Sequence, residues 1–281
     1  MTHIAFLGTG LLGTAFAEAA LKRGDRVTVW NRTAAKAKAL EAFGAEVAAS
    51  PADAVRGVER VHLVLKEDAV VEEVIAALRP GLAPQAIIMD HSTTQPKRTA
   101  ERATRLNAEG VRYLHCPVFI GPAAARKGEG TMLVAGPKAL FDAVADGLKR
   151  QAARVEYLGE RPDLAAVYKL CGNAFIIGIN ALVADVFTVA HGAGVTGEQA
   201  LKVVGFLNVP AIVSGRGKTM ASRDYTPAFE LAMARKDVRL MLETAGDQPL
   251  ATLPGIAARM DGLIATGHGE KDLAVMGLDA G

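Results

Sequence analysis

A doubly wound α/β domain followed by an all-helical one is predicted from three features. Strand-like and helix-like segments alternate through residues 1–161, a glycine-rich turn follows the first strand, and strand patterns cease after Gly159. Strands are expected at Ile4–Leu7, Arg26–Trp30, Arg60–Leu65, Ala86–Asp90, Tyr113–Cys116, Thr131–Ala135 and Arg154–Leu158. Between them, helical spacing predicts Leu11–Arg23, Ala34–Phe43, Ala69–Leu78, Pro96–Glu109 and Lys138–Arg150. This alternation implies βαβ units around a mostly parallel sheet. From Asp163 to His191 the apolar residues Leu170, Phe175, Ile176, Ile179, Leu182, Val183, Val186 and Phe187 recur at helical spacing. They predict one helix roughly 40 Å long at the usual rise per residue. It would join the first domain to a second, residues 162–281, with further helices at Gly197–Val204, Pro210–Ser222, Pro227–Ala245 and Pro254–Thr266.

Composition narrows the class of function. The 281 residues are 50% hydrophobic and 22% charged, which suits a packed core, and a formal charge of +2 gives no support for a nucleic-acid partner. Cys116 and Cys171 are too few for a disulfide framework and are expected to be small buried hydrophobes in a reducing compartment. No basic leader precedes the first strand, and no apolar run stands outside the helix and strand patterns, so a cytoplasmic protein without a membrane partner is expected. The six histidines form no metal-ligand spacing, and no nucleophile elbow is present.

The segment Gly8-Thr9-Gly10-Leu11-Leu12-Gly13 follows a strand and opens a helix, which is the context in which GxGxxG binds a dinucleotide. Gly8 permits the turn, Gly10 admits the pyrophosphate, and Gly13 lets helix and strand approach. The helix N-terminus offers unpaired N–H groups to the phosphates. The second strand ends in Asn31-Arg32-Thr33 with no carboxylate. An acid there would bind the ribose hydroxyls of NAD, whereas Arg32 suits a 2′-phosphate, with Asn31 and Thr33 adding neutral hydrogen bonds. NADP(H) is therefore the expected cofactor. Thr33 is also placed to cap the helix that follows.

Five motifs in order make the whole chain resemble the β-hydroxyacid dehydrogenase family, which includes 3-hydroxyisobutyrate dehydrogenases and glyoxylate/succinic semialdehyde reductases. After the Rossmann glycine motif come Asp90-His91-Ser92-Thr93-Thr94-Gln95-Pro96 and Cys116-Pro117-Val118-Phe119-Ile120-Gly121 with Gly128-Glu129-Gly130-Thr131. Lys169-Leu170-Cys171-Gly172-Asn173 and Lys236-Asp237 complete the set. The resemblance implies a catalytic Lys169 supported by Asn173. It places Leu65, Lys66 and Thr93 along the nicotinamide half of the cofactor and brings Lys236 to cofactor or substrate. It also implies an active site between the domains, and a homodimer or homotetramer formed through the helical domain. Ser92, Phe119, Ile120 and Gly121, with Lys169 and Asn173, are the expected substrate contacts.

Carbonyl reduction needs hydride at carbon and a proton at oxygen, and an ammonium at Lys169 suits the second task. Asn173 is four residues on and shares its helix face. Leu170 and Cys171 beside the lysine are read as interior. Lys236-Asp237 fits a solvated helix pair equally well, and Ser92 and Thr93 fit a strand end and helix cap. Asp163 is placed to cap the long helix.

The third motif departs from the family, whose usual Asp-Ala-Pro-Val-Ser-Gly-Gly supplies a hydroxyl and backbone groups. Here Phe119 and Ile120 stand at the serine and the first glycine, which predicts a less polar pocket unless both are core residues. That departure keeps an imine reductase in view, although those relatives usually lack the lysine. A non-catalytic NADP(H)-binding sensor or scaffold is the alternative from another class, and Lys169 with Asn173 speaks against it. A 6-phosphogluconate dehydrogenase would need a longer helical domain.

Overall fold

The structure, a computed structural model, describes residues 2–280. The chain divides into two compact units, the first ending at Asn173 and the second starting at Ala174. The division falls inside the long helix, later than the point after residue 161 where strands cease.

The first unit runs β1 (His3–Leu7), α1 (Leu11–Lys22), β2 (Arg26–Trp30), α2 (Ala34–Lys38), β3 (Glu46–Val47), α3 (Pro51–Ala54), β4 (Arg60–Leu63), α4 (Asp68–Leu78), β5 (Ile87–Asp90), α5 (Pro96–Ala108) and β6 (Arg112–His115). These strands form a six-stranded parallel sheet in the order β3-β2-β1-β4-β5-β6. Alternate residues of β1 explain the two-sided winding. Ile4 and Phe6 enter one hydrophobic cluster with Phe16 and Ala20 of α1, while Ala5 and Leu7 enter the other with Val71, Ile75 and Leu78 of α4. A strand buried on both faces reads as a continuous apolar run, as here.

The unit continues with β7 (Val118–Phe119), α6 (Pro122–Ala125), β8 (Thr131–Val134), α7 (Lys138–Lys149) and β9 (Arg154–Tyr157). Contrary to the single sheet the alternation suggested, these strands form a separate three-stranded sheet, β7 antiparallel and β9 parallel to β8. The reversal at β7 breaks the βαβ rhythm. Strands β3 and β7 have two residues each, too short to show periodicity, and were not anticipated. The helix expected over Ala34–Phe43 stops at Lys38 and resumes as a 3₁₀ turn, Glu41–Phe43.

Helix α8 (Leu164–Gly192) leaves the first unit and enters the second. By length and composition it could cross a membrane. The second unit holds the rest of α8, then α9 (Gly197–Ala200), α10 (Val209–Ser222), α11 (Leu231–Ala245) and α12 (Leu253–Ala265). Its core packs Leu231, Ala234 and Val238 of α11 against Leu253, Ala257, Met260 and Leu263 of α12. The buried Asp185 carboxylate of α8 accepts hydrogen bonds from the backbone N–H groups of Ala251, Thr252 and Leu253, so it caps α12 in trans. Despite its burial, those bonds and the Thr252 hydroxyl hold it ionised, at about 2.

Candidate active site and dinucleotide groove

A groove of about 460 Å³ opens over the loops that follow β1, β2, β4 and β5. This is the carboxyl end of the sheet, where the chain turns outward from β1 to β2 on one side and to β4 on the other. Every residue expected at the cofactor lines this groove except Thr9 and Lys236.

The three glycines have three different reasons. Gly8 has φ +101°, and a Cβ there would lie 2.2 Å from the Val64 carbonyl oxygen. A Cβ at Gly13 would lie 1.9 Å from the Gly8 oxygen, so helix and strand touch through it. Around Gly10 nothing lies within 4 Å of a Cβ, so the protein itself does not demand glycine there. Gly10 is the N-cap of α1 and has no side chain to occupy the first N–H groups of the helix. Those groups open on free space, the fit a pyrophosphate requires. Leu11 beside it is 83% exposed, an apolar floor facing the groove. Thr9 is buried and serves the turn through its backbone.

Asn31 has a different task from the one expected. Its Oδ1 accepts from the Thr9 N–H at 3.0 Å and its Nδ2 donates to the Thr33 oxygen at 3.0 Å, which ties the glycine turn to the end of β2. Thr33 occupies the N-cap of α2 but makes no side-chain cap bond there, contrary to the capping expectation. Arg32 and Lys36 both line the groove, and among the described residues neither has an ion-pair partner. Lys36 was missed, although its place one turn after Arg32 was a readable signal. Together they fit the 2′-phosphate that Arg32 alone suggested. Glu73 and Val74 of α4, with Trp30 and Val64, complete the wall and were also missed.

The loop after β5 is pinned on several sides. Asp90 is fully buried; its Oδ1 accepts from the Ser92 N–H and its Oδ2 from the Tyr113 hydroxyl. Ser92 Oγ accepts from the Leu65 N–H at 3.0 Å, so this hydroxyl, expected at the substrate, joins two groove loops. His91, Ser92 and Thr94 are buried while Thr93 is exposed between them. Thr93 is thus the side chain of that run left to face the groove. Lys66 is also exposed, 3.7 Å from Glu67.

Under this loop a row of buried rings is ordered by its acceptors. The Cys116 carbonyl can only accept, so His91 donates to it through Nδ1 at 2.8 Å. Burial depresses His91 to about 4 and leaves it neutral, so its Nε2 accepts from His62 Nδ1, also at 2.8 Å. Burial and the neighbouring His91 hold His62 well below the ordinary value. Its Nε2 therefore accepts from Gln151 at 3.3 Å.

Lys169 is half-buried near the start of α8, its Nζ 2.9 Å from Asn173 Oδ1. Burial lowers its affinity for a proton. Phe119 ends β7 with its ring below the ammonium, 4.3 Å from Nζ. Ile120 packs instead on the main core, and Gly121 is the N-cap of α6. Two readings of the neighbourhood are corrected: Leu170 and Cys171 are exposed, because α8 turns an apolar face outward there. Cys116 is buried as expected. The Asp163 carboxylate accepts two hydrogen bonds from Arg161. Lys236 lies on α11 in the second unit, exposed and 2.9 Å from Asp237.

Comparisons with known proteins agree with this layout. Residues 3–159 match the NAD-binding domain of 6-phosphogluconate dehydrogenase, and residues 164–276 match the NAD-binding domain of NADP-dependent 3-hydroxyisobutyrate dehydrogenase. The chain is 29% identical to glyoxylate/succinic semialdehyde reductase 1 of Arabidopsis thaliana, over 91% of this chain and 89% of that one. It is 30% identical to an oxidoreductase of Shewanella frigidimarina, over 87% and 86%. An imine reductase structure from a Pseudomonas species shares the fold, with a TM-score of 0.88, 22% identity and coverage of 100% and 99%.

Proposed function

We propose a function from this premise: the chain belongs to the β-hydroxyacid dehydrogenase family. It is an NADP(H)-dependent oxidoreductase that interconverts a small carbonyl compound and its hydroxy acid. The observation that carries the chemistry is the Lys169–Asn173 pair, an amine without a carboxylate partner among the described residues and held by an amide oxygen.

Gly10 and the first turn of α1 hold the pyrophosphate, and Arg32 and Lys36 the 2′-phosphate, with Thr33 adding its uncommitted hydroxyl. Leu65, Lys66 and Thr93 line the nicotinamide half. Bound there, the dinucleotide supplies or accepts a hydride. Lys169 protonates the carbonyl oxygen during reduction and takes that proton back during oxidation. Asn173 Oδ1 holds the ammonium and fixes where its remaining N–H groups point. Substrate meets Phe119 and the backbone near Gly121. Consumption of NADPH with glyoxylate, succinic semialdehyde and a cyclic imine tests the assignment. Binding of NADPH without turnover of any carbonyl compound would overturn it in favour of a sensor, and turnover of the imine alone would favour C=N reduction.

We infer a homodimer or homotetramer, a reading that the surface of the second unit supports. Helix α10 has no buried residue, Ile177 of α8 is 67% exposed, and Phe206 is 82% exposed. A helix without a buried face gains little from propensity alone, and apolar surface on this scale marks an interface. A second copy of this chain covers it, burying α8 and α10. Sedimentation at micromolar concentration tests this, with a monomeric species as the contrary result. A cytoplasmic location is supported by the two unpaired cysteines.

A further inference from the structure

The segment that departs from its relatives has an arrangement of its own around Lys169. Phe119 pairs opposite Thr131 of β8, which fixes its backbone. Its ring meets α8 at Gly172, where a Cβ would lie 2.3 Å from the ring Cζ. The ring therefore occupies the volume that any larger residue at 172 would take. Lys169, Gly172 and Asn173 stand at i, i+3 and i+4, so one helix face presents the amine, the space for the ring and the amide oxygen.

An ammonium has three N–H donors. Asn173 Oδ1 accepts one at 2.9 Å. The ring face, 4.3 Å from Nζ, is the electron-rich surface toward which a second points. A serine hydroxyl at position 119 would itself donate and accept, and would compete with the lysine for the substrate oxygen. A phenyl ring has no proton to donate to that oxygen.

We propose that Phe119 is a positioning residue for Lys169: its π face engages one ammonium donor and, with Asn173, leaves a single N–H free for the substrate oxygen. The proposal rests on the oxidoreductase assignment for its use in catalysis, but not for its geometry. It also defines specificity. Position 119 gives a substrate carboxylate no hydroxyl, so a substrate must be recognised there by an apolar group or by backbone N–H.

The ring and the amide oxygen favour the charged amine, against its burial. Replacing the ring by an aliphatic side chain of similar volume therefore makes Lys169 lose its proton at lower pH. The test is a titration of Lys169 by ¹³Cε NMR on lysine-labelled protein, its signal assigned by Lys169→Met. Phe119→Leu is expected to lower the midpoint by about 0.5–1 pH unit, the conversion of a half-buried cation–π contact. Incorporation of 3,5-difluorophenylalanine at this position, which keeps the ring but weakens its π charge, should lower it by less. Phe119→Met replaces the leucine variant if that one does not fold. In carbonyl reduction the alkaline limb of kcat should move by the same amount, with kcat about tenfold lower and KM for NADPH unchanged.

An unchanged midpoint in the folded leucine or methionine variant, or in the fluorinated protein, would reduce Phe119 to a packing residue. The titration needs no turnover. A moved midpoint in a protein that reduces no carbonyl would therefore sink the assigned activity alone, and an unmoved midpoint in an active enzyme would sink the positioning role alone.

Discussion

The dinucleotide groove and the surroundings of Lys169 are built by opposite means. In the groove the backbone offers the binding groups: Gly8 and Gly13 carry no side chain because carbonyl oxygens stand in the way, and Gly10 leaves the first N–H groups of α1 open. The polar side chains nearby, Asn31 and Ser92, are spent on holding loops together. Around Lys169 the side chains do the work, through an amide oxygen at one side and a ring face at the other. A site made of backbone tolerates change in its surroundings, whereas one made of side chains can be altered by a single replacement such as the phenylalanine at 119.

The sharpest way to break this contrast is Lys169→Ala. It should lower kcat for carbonyl reduction by about 10²–10⁴-fold, the usual worth of a positioned proton donor. NADPH affinity, measured by fluorescence titration, should hardly change. Next in size, Arg32→Ala combined with Lys36→Ala should weaken NADPH by about 10–100-fold through lost charge-assisted hydrogen bonds. NADH, which has no 2′-phosphate, should bind as before, and equal losses for both cofactors would place the two cations elsewhere.

The glycines separate folding from binding. Gly13→Ala forces a Cβ to 1.9 Å from the Gly8 oxygen and should destabilise the protein by about 1–3 kcal/mol, as overpacking does. Gly10→Ala meets no protein atom within 4 Å, so its melting temperature should stay put while NADPH binding weakens. If both variants melt early, Gly10 is structural.

A further effect is expected with acid. His91 is neutral in the folded protein because burial depresses it to about 4 from an ordinary 6.5. Below 6.5 the unfolded chain binds a proton that the folded chain refuses, so stability is full above that pH and declines as pH falls toward 4. His62, also depressed by burial, adds in the same direction. Urea midpoints measured between these limits should fall with acid in the native protein and fall less in His91→Asn.

The glycine turn was legible in the sequence because part of its cause is local: Gly13 of the helix meets the Gly8 oxygen just after the strand, whereas the conflict of Gly8 with the Val64 oxygen joins two strand ends distant in the chain and was not legible. The alternation of elements was legible because its causes are local too, and β1 shows it residue by residue. Strand β7 was not, since two residues carry no period, and with it went the separate second sheet. The meeting of Phe119 with Lys169 joins residues far apart in the chain, and no spacing rule reaches that far. Leu170 and Cys171 misled by being apolar. The inference that apolar means interior fails on a helix that leaves an apolar face exposed.

The stacked imidazoles beneath the groove can be viewed as wiring. A line of rings ordinarily suggests a conduit for protons, but this one runs from Gln151 through His62 to His91 and ends on the Cys116 carbonyl, which has no proton to pass on. Both ring nitrogens of His91 are already taken, so this row adds no free proton donor to the floor of the groove. Such insulation would keep stray acids away from whatever the groove holds.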